Sequence, residues 1–154
     1  MVINEGISVT GKIGVIVTDK DSNIKETRNI DNLVVTTGKH HIAARIAGAL
    51  SGAGLEGSII SHIGFGIGTS TPLLLNTDID SLLGTRIPIS SIVHLAGTNT
   101  ILVTASFTGY AGNITETGMF NSVTGGTMVC RTTFSPVTIL NTDGLAIIWT
   151  LTIN

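Results

Sequence analysis

Apolar and polar residues alternate along most of this chain, in short stretches separated by turns rich in Gly, Asn, Asp and Thr. Alternation with a period of two places successive side chains on opposite faces of a strand. Clear stretches of this kind are residues 7–18, 100–108 and 145–153. The pattern predicts a mainly β chain, and turns about every 8–12 residues favour an antiparallel β-sandwich or a jelly-roll-like barrel.

The first predicted element is an N-terminal β-hairpin. Residues 7–18 alternate, residues 19–23 form a compact polar turn, and residues 24–30 read as the returning strand. The returning strand is polar at most positions, which favours an exposed edge. We therefore expect a single domain spanning residues 1–154, in which residues 1–35 could form a hairpin arm.

One short α-helix is predicted from about residue 39 to residue 50. Apolar residues recur there at helical spacing and would form its buried face: Ile42, Ala43, Ile46, Ala47 and Leu50. His40 and His41 fall in the first turn and point about 100° apart. We interpret them as surface histidines and not as a chelating pair.

A glycine-rich strand and a leucine-rich loop follow the helix. Gly64, Gly66 and Gly68 share one face of the strand, which implies that a backbone or a ring packs closely there. The Gly-x-Gly-x-Gly spacing matches neither a P-loop nor a dinucleotide fingerprint. Leu73–Leu75 stand together in the next loop. Leucines at a loop tip would form an exposed apolar patch, so we expect a partner or the core to cover them.

Charge and hydropathy narrow the classes of partner. Only 12% of the 154 residues are charged, the formal net charge is -2, and the mean hydropathy is +0.48. No apolar run approaches the ~18 residues of a membrane span, and no basic cluster suits a nucleic acid. Residues 1–11 resemble no secretory signal. We expect synthesis in the cytoplasm and a surface covered in part by other subunits.

Candidate chemistry fails on spacing or context, so we predict no enzyme, no cofactor and no metal site. No Gly-x-Ser-x-Gly elbow is present, and His62 and His94 lie within predicted strands. The two Asp-x-Asp pairs, at residues 19–21 and 78–80, lack the spacing of a calcium loop. Cys130, the single cysteine, lies in an apolar stretch and is expected to be a buried, inert thiol.

Two charges stand out inside predicted strands. Glu116 and Arg131 lie on either side of the turn that joins residues 114–121 to residues 128–134. If these strands form a hairpin, the two side chains can meet across it. We predict a structural ion pair between Glu116 and Arg131.

Five blocks of sequence resemble a family of small structural proteins from tailed bacteriophages. They cover residues 32–39, 60–69, 114–121, 125–132 and 148–153, and read NLVVTTGK, ISHIGFGIGT, ITETGMFN, GGTMVCRT and IWTLTI. Their order is more specific than any one block. The resemblance is to capsid cement, or decoration, proteins, which have a jelly-roll-like β-sandwich and clamp neighbouring capsid subunits. The chain departs from them in its leucine-rich loop and sparse charge.

The resemblance implies a virion protein that lies on the outer capsid surface, binds the major capsid protein and self-associates as a dimer or trimer. A related block order occurs in N-terminal parts of tail-fibre proteins, so a tail role as fibre base, collar or baseplate adaptor is the alternative. No fibre shaft follows residue 154, which favours cement. A carbohydrate-binding or hydrolytic sandwich would need more aromatic residues than the 4% present. The expected contact residues are Ile7, Val9, Ile13, Val15, Ile24, Ile30, Leu73, Leu74 and Leu75.

Overall fold

A computed structural model of the chain describes residues 8–46 and 58–154. Those residues form strands and one α-helix. In chain order the elements are β1 (Val9–Thr18), β2 (Ile24–Asp31), β3 (Leu33–Val34), α1 (Thr36–Ile46), β4 (His62–Gly66), β5 (Ile87–Pro88), β6 (Ser91–His94), β7 (Thr100–Thr108), β8 (Gly112–Phe120), β9 (Met128–Ile139) and β10 (Gly144–Ile153).

The strands form two antiparallel sheets of five strands each. The first sheet has the order β2-β1-β10-β7-β6, and the second has the order β3-β9-β8-β4-β5. Two separate sheets make the fold a β-sandwich, which confirms the first of the two predicted architectures. The predicted hairpin of Glu116 and Arg131 is formed by β8 and β9, which pair in the second sheet.

The core lies between the two sheets and is filled by the alternating apolar residues. In β10 the side chains of Leu145, Ile147, Trp149 and Leu151 are buried in turn, with half-buried residues between them. Phe65 from the second sheet stacks on Phe107 from the first, with ring centroids 4.2 Å apart. Each such side chain contributes about 1.5–3 kcal/mol on burial. The burial of the alternating apolar side chains therefore drives the two sheets together.

The N-terminal hairpin is a part of the first sheet and does not project as an arm. β1 pairs with β10 from Val9 to Thr18 on one side and with β2 on the other. Ile13 and Val15 are completely buried. Their prediction as contact residues is therefore wrong, because every second residue of an interior strand must face the core.

Helix α1 begins three residues before its predicted start and presents a different face to the sandwich. Gly38 and His41 are buried, Ile42 is half-buried and Ala43 is exposed. A Cβ atom on Gly38 would lie 2.1 Å from the carbonyl oxygen of Val129, so glycine lets the helix backbone approach β9. His41 is thus not the surface residue expected. Ala47 and Leu50, at the end of the predicted helix, lie outside the described residues.

Residues 87–94 contain two short strands that belong to different sheets. β5 lies at one edge of the second sheet, and β6 lies at one edge of the first. Pro88 suits the edge position of β5, since proline has no N–H to give to a further strand. The chain crosses between the sheets at Ile89 and Ser90.

Candidate functional site: an anchored leucine loop

The long connection between β4 and β5 carries the most exposed cluster of large apolar side chains in the described chain. We call residues 69–76 the leucine loop. Leu73, Leu74 and Leu75 are 61%, 47% and 83% exposed. They do not fold back onto the core, so the expectation that the core covers them is wrong.

Hydrogen bonds hold the tip of the leucine loop in one conformation. The Leu73 amide donates to the side-chain oxygen of Asn76 at 2.7 Å, and the Asn76 amide donates to the Leu73 carbonyl at 3.0 Å. The Leu74 carbonyl accepts the Thr36 amide at 2.8 Å, at the start of α1. The three leucines therefore project from a closed turn that is tied to the sandwich.

Glu116 is the anchor at the base of this connection. It lies on β8, is completely buried, and accepts the backbone amides of Gly68 at 2.9 Å, Asp80 at 3.0 Å and Ser81 at 2.7 Å. Those amides lie on either side of the leucine loop. A buried carboxylate is costly without such donors, so Glu116 and the connection depend on each other.

Arg131 joins the same cluster from β9 and is also completely buried. Its Nη2 lies 2.9 Å from Glu116 and 2.7 Å from Asp80, and its Nη1 donates to Asn76 at 3.0 Å. Glu116 is paired in register with Thr133, whereas Arg131 is paired with Gly118. The two charged side chains are therefore diagonal neighbours, which long side chains can bridge.

The cluster also lowers the pKa of a carboxyl group in the connection between β4 and β5. The pKa of Asp80 lies below its ordinary value, first because the Ser70 hydroxyl donates a hydrogen bond to it and then because of the Arg131 guanidinium. Asp80 therefore stays ionised at neutral pH and completes the links between Arg131 and the leucine loop.

The glycines of β4 and its extension make room for this arrangement. A Cβ atom on Gly66 would lie 2.1 Å from the Ser81 carbonyl oxygen, and one on Gly68 would lie 2.3 Å from Glu116 Oε1. Both distances are far below a van der Waals contact. The close backbone approach expected from the glycine pattern is therefore the return of the connection along β4.

A second buried arginine fastens the other end of the connection. Arg86 Nη2 lies 3.0 Å from Asp78, its Nη1 donates to the carbonyls of Ser122 and Gly125, and its guanidinium lies 3.5 Å from the centroid of the Phe120 ring. Sequence reasoning missed this residue, as well as Ser70 and Asn76. No local pattern marks them, since their partners lie far away in the chain.

The remaining predicted contact residues differ in what they offer to a partner. Ile24 is 67% exposed at the beginning of β2. Val9 and Ile30 are half-buried and pack against the core, and Ile7 lies outside the described residues. Ile24 and the leucine loop therefore present the most accessible apolar surface of the predicted set.

The contacts nearest to a catalytic arrangement are those of Ser61 and His62. The Ser61 hydroxyl lies 2.8 Å from Nδ1 of His62, but no carboxylate of the described residues forms a hydrogen bond with this imidazole. The pKa of His62 is lowered, mainly by burial and then by the nearby Arg86 charge. A triad needs a third group to orient the base, and none of the described groups fills this role.

The other candidate groups are engaged or inaccessible. Burial raises the pKa of the Cys130 thiol and keeps it protonated. Across residues 8–46 and 58–154, no group of three or more His, Cys, Asp or Glu side chains is placed to hold a metal ion. The same ranges contain no helix with the length and apolar character needed to cross a membrane.

Comparison of the chain with protein-family models, with curated proteins and with solved structures finds no match.

Proposed function

We propose that this chain is a non-enzymatic structural protein of a tailed-phage virion, and that it acts as a capsid cement protein. In this role it lies on the outer surface of the shell, binds the major capsid protein and stabilises the contacts between capsid subunits. The observation that carries the proposal is the leucine loop, in which three exposed leucines are held by a buried ionic cluster.

The energetic argument rests on preorganisation. Two fully buried charged residues, Glu116 and Arg131, hold a connection whose tip faces solvent. A loop that is ordered before binding loses less conformational entropy in the complex. Each leucine that a partner covers can then add about 1.5–3 kcal/mol to binding. Replication over a symmetric shell multiplies such modest contacts through avidity.

The binding test uses shells that lack this protein. We expect Leu75→Ser to weaken binding to expanded shells by roughly tenfold or more, since tenfold corresponds to about 1.4 kcal/mol. The matched control is Leu140→Ser, which changes a 54% exposed leucine in the turn before β10. This control is expected to bind like the wild type. Equal loss in both variants, or in neither, would contradict a role of the leucine loop.

The alternative is a tail-associated protein, at a fibre base, collar or baseplate, in which the leucine loop binds a tail subunit. It rests on the related block order in tail-fibre proteins. Labelled protein that binds purified tails and leaves shells bare would select this alternative.

A further inference from the structure

The four edges of the two sheets are not protected equally. The β2 edge carries Lys25, Glu26, Arg28 and Asp31. β3 and β5 are only two residues long, and β5 contains Pro88. Charge, shortness and proline are the usual means by which proteins prevent pairing at a sheet edge. β6, with four residues, is twice as long as β3 or β5, and it contains no proline and no Asp, Glu, Lys or Arg.

β6 is an open and apolar edge. All four of its residues, from Ser91 to His94, are exposed, none of them is Asp, Glu, Lys or Arg, and Ile92 and Val93 are 45% and 44% exposed. Within the described chain β6 pairs with β7 alone. An edge of this kind is a template for another strand.

The hydrogen bonds to β7 decide which groups of β6 face outwards. The Leu95 amide donates to the Thr100 carbonyl, and β6 is antiparallel to β7 with Val93 opposite Leu102. Because antiparallel pairs alternate, Val93 points its backbone groups towards β7. Ile92 and His94 therefore point their N–H and C=O groups towards the free edge.

We propose that β6 pairs with β6 of a second copy of this chain, antiparallel and about a two-fold axis that passes beside Val93. Ile92 then exchanges backbone hydrogen bonds with His94 of the second copy, and the symmetric exchange follows. The first sheets of the two copies become one continuous sheet. This inference does not depend on the proposed capsid function.

The sequence of β6 is self-complementary in this register. Ile92 shares the core side of the sheet with its neighbour Val103, so Val93 and Leu102 lie on the outer side. Val93 meets Val93 of the second copy at the axis, and Leu95 extends the same apolar strip. No like charges meet, as a symmetric interface requires. This match of β6 to itself favours a second copy of the chain over a strand of a different protein.

The first test is the molar mass of the intact protein in solution. An edge-to-edge contact is small, so we expect a dimer that dissociates on dilution at roughly micromolar concentrations. Val93→Lys places two like charges at the axis and should give a single-chain mass at all concentrations. Leu75→Lys, the matched control on the leucine loop, should leave the dimer intact. A single-chain mass for the wild type up to about 500 μM, where a micromolar dimer would be fully formed, would overturn the proposal.

The second test probes the register itself. A non-hydrogen-bonded antiparallel pair brings its Cα atoms to about 4.5 Å, within the range of a disulfide. We expect Val93→Cys to give a covalent dimer under mild oxidation. Ile92→Cys is almost equally exposed but lies opposite His94 of the second copy, so it should cross-link much less. Equal cross-linking of both variants would show random collision and overturn this pairing.

The two proposals fail in different ways. Loss of dimer in Val93→Lys with retained shell binding would leave the cement function intact. Loss of shell binding in Leu75→Ser with an unchanged dimer would support the role of the leucine loop in shell binding and would exclude this loop as the dimer interface, as the β6 pairing requires. A wild-type dimer that persists in Val93→Lys would place self-association on another surface and contradict the β6 pairing.

Discussion

At the scale of single residues, Glu116 holds the segments on either side of the leucine loop through its hydrogen bonds. Its carboxylate satisfies three backbone amides and the Arg131 guanidinium inside the protein. Removal of Glu116 leaves the buried Arg131 with the partly exposed Asp80 as its charged partner and leaves three backbone amides without their acceptor, and this costs more than the pair contributes when intact. The stability of the connection between β4 and β5 should therefore depend on one side chain.

We expect Glu116→Ala to lower the free energy of unfolding by about 3–5 kcal/mol. For a chain of this size the melting temperature should fall by roughly 10 °C, which calorimetry can measure. The matched control is Glu26→Ala, which removes the half-buried partner of the exposed Arg28 at the β2 edge. It should cost less than about 1 kcal/mol. An unchanged melting temperature in Glu116→Ala would contradict the anchoring role.

At the scale of elements, the leucine loop behaves as a part of the second sheet even though it contains no strand. Asn76 and Asp80 bind Arg131 of β9, and the Leu74 carbonyl binds the start of α1. The exposed leucines are thus presented by rigid elements. Weakening of these links should release the loop before the sandwich unfolds.

The lowered pKa of Asp80 predicts how the protein responds to acid. The folded pKa lies below the ordinary unfolded value of about 3.9. The resulting stability is fully present above that unfolded value and is lost as the pH falls through the folded pKa. Asp80→Asn should therefore be less stable than the wild type at pH 6, and the difference should shrink towards pH 3.

Urea unfolding at a series of pH values measures this difference. Asp21→Asn is a suitable control, because it makes the same change of charge in the exposed β1–β2 turn. A constant gap between the wild type and Asp80→Asn from pH 6 to pH 3 would contradict the assigned link.

At the scale of the whole molecule, a sandwich with few charges presents two separate apolar features to its surroundings. The leucine loop belongs to the second sheet, and the open β6 edge belongs to the first. A protein that self-associates through one feature and binds a shell through the other can bridge neighbouring shell subunits. Such bridging raises the work needed to separate them.

Particles that lack this protein should release their genome at a lower temperature than complete particles. Added wild-type protein should restore the release temperature, because it binds the assembled shell in preference to its separated subunits. Leu75→Ser should restore it only at higher protein concentration, while Leu140→Ser should act like the wild type. Equal release temperatures with and without the protein would contradict the cement mechanism.

Much of the fold follows from local pattern. The alternation in residues 145–153 and the polar turn at residues 19–23 predict a strand and a hairpin, because side-chain direction in a strand has a period of two. The position of the helix does not follow from local pattern. Its buried face is set by the close approach of Gly38 to Val129, which the spacing of apolar residues does not indicate.

The candidate site, too, could be predicted from the sequence only in part. Two features could be predicted from the sequence: an Arg and a Glu that are unusual within their strands, and a loop with three adjacent leucines. The sequence could not indicate that these features are connected. Asn76 is 55 residues from Arg131, and Gly68 is 48 residues from Glu116, and only the packing of the chain brings such distant positions together.

By itself, then, the sequence determined the β class, the N-terminal hairpin and the apolar loop, since each depends on neighbours within a few positions. The tertiary structure decided which apolar residues are available to partners. It placed Ile13 and Val15 in the core, left Leu73–Leu75 in solvent and opened the β6 edge. The physical reason is that exposure depends on which strand pairs with which, and strand pairing is set by contacts across the whole chain.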